Sequence, residues 1–330
     1  MTESTRSGRP SRRDFLVLGV GAFVVASIPL AHRHRRQLVR RQLPMMGTIA
    51  DITLLHDDVA QGEQALDAAF AELASVERTM SRFRDDSDVG RANRFAAQRA
   101  VTISPATFAV IESAIRWAQA SDGAFDPAIG RVSELWDVQH RHEPPPDASV
   151  RQLAARHFYR HVQLGHEAGH PVVRFSDPDL HLDLGAIAKG YAVDRAGDAL
   201  RRAGIRQALV NVGGEVVAIG NGPDGGKWRV GIQSPDDARQ LIGTLEVSDE
   251  AVATSGDYEQ FFRYRGVRYH HLMDPDTAAP RRTSEHSVTV VAATCMDADA
   301  ATTAVFGMSR ERAQAVLQAR TRGARVVSWV

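Results

Sequence analysis

The chain of 330 residues is long enough for one large domain or two, and its composition is that of an ordinary globular protein. Its single cysteine, Cys295, excludes an internal disulfide and a zinc site of the CxxC type. The net charge is zero, but residues 1–41 hold nine arginines and only two acidic residues. The rest of the chain therefore carries a net charge of about −7, which argues against nucleic acid as the main partner.

The N-terminus has the pattern of an export signal. Residues 11–16, SRRDFL, match the twin-arginine pattern, and an apolar run over residues 15–31 follows, short for a membrane-spanning helix. The alternative is a basic cytoplasmic arm beside a chance apolar segment. We expect export to the periplasm, with residues 1–31 as a signal or anchor segment and residues 32–44 as a basic linker. No clean cleavage motif precedes His32, so removal of the segment and its retention in the inner membrane both stay open.

Hydrophobic periodicity predicts the elements that follow. Helices are predicted over residues 60–80, 105–121, 186–203, 297–308 and 310–319, and strands over 49–55, 171–175, 180–184, 208–212, 215–219 and 287–293, with several more between 228 and 272. Residues 81–93 are predicted as a loop and residues 143–147 as a surface linker. The glycine pair Gly213-Gly214 indicates either a hairpin turn or a close backbone approach. This mixture is typical of an α+β or α/β protein.

The stretch Leu182–Tyr191 combines an apolar strand end, a glycine corner at Gly185 and a helix start. Asp183 and Lys189 place both charge signs at this corner, in a chain whose only other lysine is Lys227. One interpretation is a functional site at exposed backbone groups. The other is a plain corner at which Asp183 caps the helix.

A second candidate site opens the helix predicted over residues 297–308. Asp299 and Thr303 are four residues apart, so they share one helix face. A carboxylate and a hydroxyl are hard oxygen donors that suit Mg²⁺. The alternative is that the acidic residues cap the first turn of this helix.

Two further clusters, residues 253–259 and 268–275, contain groups capable of chemistry. His270 and His271 beside Asp274 are either metal ligands or an incidental pair. Because adjacent strand residues point to opposite faces, we do not expect the two histidines to act together.

Taken together, these stretches resemble the ApbE family, the FAD:protein FMN transferases, over roughly residues 46–306. The motifs that carry the resemblance are Met46-Gly47-Thr48, Ala124-Phe125-Asp126, Leu182-Asp183-Leu184-Gly185 with Lys189-Gly190-Tyr191, Asn211-Val212-Gly213-Gly214, Thr254-Ser255-Gly256-Asp257-Tyr258, His271-Leu272-Met273-Asp274-Pro275, and Ala298-Asp299 with Thr303. The resemblance implies an α+β fold of mixed sheets with packed helices over residues 45–330, preceded by the export signal.

The resemblance also implies roles for individual residues. The implied FAD contacts are Met46, Ala124, Phe125, Asp126, Asp183, Lys189 and Leu272. The implied Mg²⁺ ligands are the carbonyl oxygen of Ala186 and the side chains of Asp299 and Thr303. His271 stands where the family places a histidine near the reacting phosphate. Ala186 replaces a frequent glycine and Glu215 a usual aspartate or asparagine, and neither change removes an implied ligand.

The implied reaction is the transfer of FMN from FAD to a threonine or serine hydroxyl of a client protein. A phosphoester bond forms, AMP leaves, and Mg²⁺ offsets the phosphate charge. The attacking hydroxyl needs a base, for which His271 and Asp257 are the candidates. The family's clients are respiratory or electron-transfer membrane proteins with a threonine-containing acceptor motif. Two alternatives stay open: an exported FAD pyrophosphatase that yields FMN and AMP, and a non-catalytic flavin-binding accessory protein for the maturation of periplasmic respiratory enzymes.

Overall fold

The computed structural model describes residues 36–330, so the segment assigned to export, residues 1–31, lies outside the described residues. The α-helices of this part of the chain are α1 Val59–Met80, α2 Asp88–Phe95, α3 Pro105–Ala120, α4 Gly130–Trp136, α5 Asp147–Leu153, α6 Ala188–Arg202, α7 Cys295–Val305 and α8 Arg310–Arg320. Within the same range, no helix has both the length and the apolar character needed to cross a bilayer.

The strands are β1 Gln37–Met45, β2 Thr48–His56, β3 Val101–Thr102, β4 Val162–Glu167, β5 His170–Phe175, β6 Ala208–Val212, β7 Glu215–Ile219, β8 Trp228–Gln233, β9 Leu241–Val247, β10 Ala251–Gly256, β11 Phe261–Tyr264, β12 Val267–His270, β13 Met273–Asp274, β14 Ala279–Pro280, β15 Ser287–Ala292 and β16 Arg325–Trp329. Seven of them form one antiparallel sheet in the order β1-β2-β6-β7-β10-β15-β16. The predicted α+β class is therefore confirmed.

The central sheet separates two apolar cores. Because successive strand residues point to opposite faces, Val210 and Leu209 of β6 belong to different cores. Val210 lies in the larger core, to which α1, α6 and α7 contribute their buried faces. Leu209 packs instead with Trp228 and Val247 of the β8–β9 hairpin on the other side of the sheet. The molecule thus has a helical layer, a sheet and a hairpin layer.

The prediction of a basic linker over residues 32–44 is wrong for residues 37–44, which belong to the edge strand β1. Val39 of this strand is buried. The arginines that suggested a solvated linker are neutralised by neighbours: Arg40 pairs with Asp51 of β2 at 2.5 Å, and Arg41 pairs with Asp67 of α1 at 2.5 Å. The domain therefore begins earlier than residue 45.

Three other predictions differ from the structure. Residues 81–93 are not a loop throughout, because Ser87 caps α2 through the Gly90 N–H at 2.8 Å. Residues 180–184 form no strand, since the backbone of Leu182 bonds the Asn93 side chain rather than a neighbouring strand. Strand β16 was not predicted at all.

Both interpretations of Gly213-Gly214 hold. The two glycines form the two-residue loop between β6 and β7, and both have positive φ, 64° and 106°. Such a loop matches the twist of a hairpin and favours glycine. A Cβ on Gly213 would also lie 2.8 Å from the Thr48 side chain, so the loop approaches the β1–β2 turn closely.

Helices α6 and α7 touch at Gly190, where there is no room for a side chain. A Cβ on Gly190 would lie 2.7 Å from the Cβ of Asp299 and would also meet the Cys295 carbonyl. Gly190→Ala should therefore lower the free energy of unfolding by about 2–3 kcal/mol, because the two helices must move apart. Urea unfolding followed by circular dichroism measures the change.

The matched control is Gly197→Ala on the same helix. Its Cβ would meet its neighbours at 3.4 Å, an ordinary contact, and alanine favours the helix more than glycine does. We expect Gly197→Ala to keep or raise the stability. Equal losses in the two variants would contradict the close approach at Gly190.

Candidate active site

A cavity of about 470 Å³ opens between the helical layer and the loops at one end of the sheet. It is lined by the turn after β1, the C-terminal end of α1, the Ala124–Pro127 turn, the corner before α6, residues 271–273 and one face of α7. Every predicted site residue except Asp257 lines this cavity: Met46, Ala124, Phe125, Asp126, Asp183, Ala186, Lys189, His271, Leu272, Asp299 and Thr303. The volume falls in the range of cofactor and ligand pockets.

The corner at Asp183 is part of the cavity wall and does not cap α6. Asp183 accepts the Gly185 N–H at 3.0 Å and faces the Arg82 guanidinium at 3.2 Å. The residue before α6, Ile187, offers no side-chain cap. The first N–H groups of this helix have other partners: that of Ala188 donates to the Leu184 carbonyl at 2.8 Å and that of Gly190 to Asp299 at 2.9 Å.

Three carboxyl groups line the cavity close to one lysine. Lys189 donates to Glu215 at 2.7 Å, and Asp299 accepts the Gly190 N–H at 2.9 Å. The second oxygen of Glu215 is buried and has no hydrogen-bond partner within residues 36–330. The third carboxylate is Glu259, which is close enough to influence Lys189. The cluster therefore holds more carboxyl groups than its one lysine can balance when all of them are ionised.

The ionisation of these groups reflects that imbalance. Burial raises the pKa of Asp299, and the neighbouring Glu215 adds to the shift. Burial likewise raises the pKa of Glu259 to about 8. Burial alone would lower the pKa of Lys189, but the surrounding carboxylates outweigh it and raise that pKa. A bound cation would stabilise the ionised carboxylates, because an opposite charge favours the charged form.

The donor set suits a hard divalent cation. Among the described residues, no three His, Cys, Asp or Glu side chains form a metal cluster by themselves. A metal here would therefore also take backbone and hydroxyl oxygens, which the Ala186 carbonyl and Thr303 supply at the same cavity wall. Oxygen-only donors of this kind fit Mg²⁺.

Asp299 does not cap its own helix. Thr294 is the N-cap of α7 and accepts the Asp297 N–H at 3.2 Å. Asp297 accepts the Thr294 hydroxyl at 3.0 Å and the Trp117 ring N–H at 3.1 Å, so this acidic residue does belong to the capped first turn. Asp299 instead contacts α6, so the capping alternative does not apply to it.

His271 is half-buried at the cavity wall, with its Nδ1 atom turned inward. In the described part of the chain its Nδ1 has no hydrogen-bond partner, and its backbone N–H donates to the Gln260 carbonyl at 3.0 Å. Burial lowers the pKa of His271 to about 4, and the positive charge of Lys189 contributes. The ring is therefore neutral near pH 7 and able to accept a proton.

The two histidines point to different surroundings, as predicted from the strand. The His270 Nε2 contacts the Arg281 carbonyl at 2.8 Å, and its Nδ1 accepts the Leu272 N–H at 3.2 Å. His270 thus fixes the loop, whereas His271 lines the cavity.

The structure removes Asp257 from the candidates for the base. Its carboxylate is engaged by Arg268 at 2.5 Å and by His286 at 2.9 Å. It is absent from the cavity wall. A carboxylate held by an arginine and a histidine outside the cavity is not placed to accept the proton of a hydroxyl that reacts inside it.

Asp126 lies in a turn that is held from within. It accepts the Ala128 N–H at 2.8 Å and the Tyr159 N–H at 3.2 Å. Burial raises the pKa of Asp126 to about 7. The turn is therefore rigid where it faces the cavity.

Arg281 is a site residue that the sequence did not indicate. Its guanidinium donates to the carbonyls of Thr303 at 2.8 Å and Phe306 at 2.7 Å, and also to that of Ala124. Burial lowers the pKa of Arg281 to about 10. It therefore ties the Ala124–Asp126 turn to the end of α7, but no spacing distinguishes it from the many other arginines of the chain.

Phe83 is the second site residue that the sequence did not indicate. It lies on the cavity rim, is 78% exposed and stacks against Arg82 at 4.2 Å. An aromatic residue in the polar segment 81–93 was the available signal. Its ring offers an apolar face to a planar ligand.

Comparison with known proteins gives a consistent result. The model of the ApbE family matches residues 46–327. An FAD:protein FMN transferase of Vibrio cholerae is 34% identical over 278 residues, which cover 84% of this chain and 83% of the relative. One of Treponema pallidum is 34% identical over 297 residues, covering 86% and 82%.

Solved structures agree with these relatives. The flavin transferase ApbE from Vibrio cholerae superposes with a TM-score of 0.75 at 32% identity, covering 88% of this chain and 93% of that one. The ApbE protein from Thermotoga maritima gives a TM-score of 0.79 at 28% identity, covering 88% and 94%.

Proposed function

The chain belongs to the ApbE family, and from that premise we propose that it transfers FMN from FAD to a hydroxyl of a client protein and releases AMP. The observation that carries the proposal is the cavity in which the buried carboxylates, Lys189 and a neutral His271 meet. This combination suits a phosphoryl transfer, in which anionic phosphates must be held and a hydroxyl must lose its proton.

In this proposal the nucleophile is a threonine or serine hydroxyl. Its oxygen attacks the FMN phosphorus, the new P–O bond replaces the bond to the AMP oxygen, and AMP leaves with that electron pair. His271, whose ring lines the cavity, accepts the proton of the hydroxyl. Asp299, Thr303 and the Ala186 carbonyl would hold Mg²⁺, which offsets negative charge on the phosphates.

The other residues of the cavity bind and orient FAD. Lys189 supplies a positive charge for the phosphates, and the rigid turn at Asp126 forms the adjoining wall. Phe83 and Leu272 offer apolar surface at the rim and the wall. By analogy with the family, we propose that the client is a respiratory or electron-transfer membrane protein that carries a threonine-containing acceptor motif.

A nucleotide assay separates transfer from FAD hydrolysis. The purified chain is incubated with FAD and Mg²⁺, with and without a peptide that carries such a motif. Transfer predicts AMP release that depends on the peptide and little free FMN. Equal amounts of AMP and free FMN without the peptide would favour the pyrophosphatase. FAD binding without AMP release in either case would favour a non-catalytic flavin-binding protein.

Lys189 is expected to act mainly in FAD binding. Lys189→Ala removes the only lysine of the cavity and leaves Glu215 without its partner. We expect FAD affinity to fall about tenfold, because a charge-assisted contact is lost and negative charge is uncovered. The saturated rate should change less. Lys189→Arg should also bind FAD less well, because a planar guanidinium needs more room than an ammonium.

The only other lysine, Lys227, is exposed and outside the cavity, so Lys227→Ala is the matched control. FAD titration by fluorescence, beside AMP release at saturating FAD, gives both quantities. A rate loss of about 100-fold or more would assign Lys189 to the transition state instead. Wild-type affinity in Lys189→Ala would exclude it from FAD binding.

We also propose export by the twin-arginine route, with the protein in the periplasm or anchored to the inner membrane. The support is the motif around Arg12-Arg13 and the modest apolar run after it. Replacing both arginines with lysine should leave the precursor in the cytoplasm, as measured by cell fractionation. The same change at Arg6 and Arg9 is the control. Unchanged delivery of the Arg12/Arg13 variant would contradict the proposal.

A further inference from the structure

The hairpin of β11 and β12, here called the arginine hairpin, begins and ends at the cavity. Gln260 precedes it and His271 follows it, and both line the cavity. The His271 N–H donates to the Gln260 carbonyl at 3.0 Å and closes the base of the hairpin. The hairpin is a separate two-stranded sheet, so its faces are not used by the central sheet.

One face of the arginine hairpin anchors it to the protein. Phe262 and Tyr269 are opposite each other in register, and their rings stack at 5.2 Å. Tyr269 also stacks on Trp136 of α4 at 5.5 Å. This aromatic row fixes the position of the hairpin beside the cavity.

The other face carries uncompensated positive charge. Arg263 is directly opposite Arg268 in the register, and like charges in that arrangement destabilise a strand pair. Only Arg268 has a carboxylate partner, Asp257 at 2.5 Å. Among the described residues, no salt bridge is made by Arg263 or by Arg265 at the turn, and residues 261–270 contain no acidic residue.

An exposed aromatic ring accompanies this charge. Phe261 is 37% exposed, and the guanidinium groups of Arg268 and Arg263 lie 4.9 Å and 5.7 Å from its centroid. Aromatic and arginine side chains are enriched where proteins bind one another. The face therefore offers an apolar contact between two cations.

We propose that this face of the arginine hairpin is the docking surface for the acceptor protein, and that it binds an acidic, extended segment next to the acceptor hydroxyl. The inference rests on the proposed function. A cavity of about 470 Å³ is filled by one cofactor-sized ligand, so a polypeptide must approach over the rim. A polypeptide lying on this face can extend to His271, where the acceptor hydroxyl must arrive. A flat membrane surface cannot enter the cavity in this way.

The test compares two short fluorescent peptides with the same central threonine, one with acidic flanks and one with asparagine and glutamine flanks. Their binding to the FAD-loaded enzyme is measured by anisotropy, with FAD affinity measured separately. In the variant Arg263→Ala/Arg265→Ala we expect the acidic peptide to bind about tenfold more weakly and with less salt dependence. FAD affinity should not change. Arg239→Ala/Arg322→Ala, exposed and outside the hairpin, is the control.

Binding is read without turnover, so this test and the proposed function fail separately. Selective binding of the acidic peptide that is lost in the hairpin variant supports the docking surface even where no AMP is released. Equal binding of both peptides, no binding by the wild type, or unchanged binding by the variant overturns it. The hairpin variant is also tested on vesicles of phosphatidylcholine and phosphatidylserine. If the variant loses binding to the vesicles but binds the peptide unchanged, the docking proposal is overturned and the face is assigned to a membrane.

Discussion

Asp299→Ala is expected to lower the rate of flavin transfer at saturating FAD by about 10³-fold or more, while the chain still folds. The physical reason is that Asp299 is the one charged side chain in the proposed Mg²⁺ site, and a metal that offsets phosphate charge lowers the barrier by several kcal/mol. Rates are measured over a range of Mg²⁺ concentrations, because a weakened site is most visible at limiting metal.

We do not expect unfolding to cause this loss of rate, because removing the charge of Asp299 should not destabilise the fold. The pKa of Asp299 in the folded chain is raised above its ordinary value by burial, so the unpaired carboxylate lowers stability increasingly as the pH rises above that ordinary value. Asp299→Asn removes this penalty and keeps an oxygen for the Gly190 N–H. Without metal at neutral pH, we expect its unfolding midpoint to equal or exceed that of the wild type.

A matched variant lies two residues away. Asp297→Asn changes an acidic residue of the same helix that contacts Trp117 and lies outside the cavity. Its transfer rate should stay close to wild type. Full activity of Asp299→Ala at limiting Mg²⁺ would remove Asp299 from the metal site.

The second large effect is expected at His271. His271→Gln should lower the transfer rate by about 10²- to 10⁴-fold, the range of a positioned general base, with FAD affinity retained. His286→Gln is the control, because His286 bonds Asp257 on the outside and should not affect the rate. A similar loss of transfer rate in both variants would indicate that His286 and its partner Asp257 take part in the reaction.

The pH dependence gives an independent test of the same residue. Burial lowers the pKa of His271 to about 4, so its proton-accepting form persists below the ordinary histidine pKa of about 6.5. The ratio of wild-type to His271→Gln values of kcat/KM should therefore stay constant through pH 6.5 and fall near pH 4. The titration of the carboxyl groups affects both proteins equally, so it cancels in the ratio. A fall centred at pH 6.5 would contradict a buried base.

The family resemblance supplied most of the cavity residues, whereas spacing alone singled out the corner after Asp183 and the pair Asp299 and Thr303. The spacing of Asp299 and Thr303 fixed their common helix face, and Gly185 marked the corner before α6. The helical periodicity over residues 60–80 and 105–121 also gave the correct elements. All of these features depend on residues that are close together in the sequence.

The errors arose where distant residues decide the structure. Strand β1 resembled a linker because the acidic partners of its arginines lie in β2 and α1. Asp257 resembled a catalytic group because its motif is adjacent to the cavity, but Arg268 and His286 hold it outside. Arg281 was not predicted because only the folded chain brings it to α7. Glu259 was part of the cluster 253–259 but was given no role, because only the fold places it near Lys189.

The most direct test is the mass of the acceptor after reaction. A peptide carrying one threonine in the acceptor motif is incubated with the full-length chain, FAD and Mg²⁺, and its intact mass and fragments are measured beside a peptide in which valine replaces that threonine. FMN transfer predicts a gain of one FMN less one water, located on the threonine, and no gain in the valine peptide. Consumption of FAD with both peptides unmodified would contradict the transferase assignment.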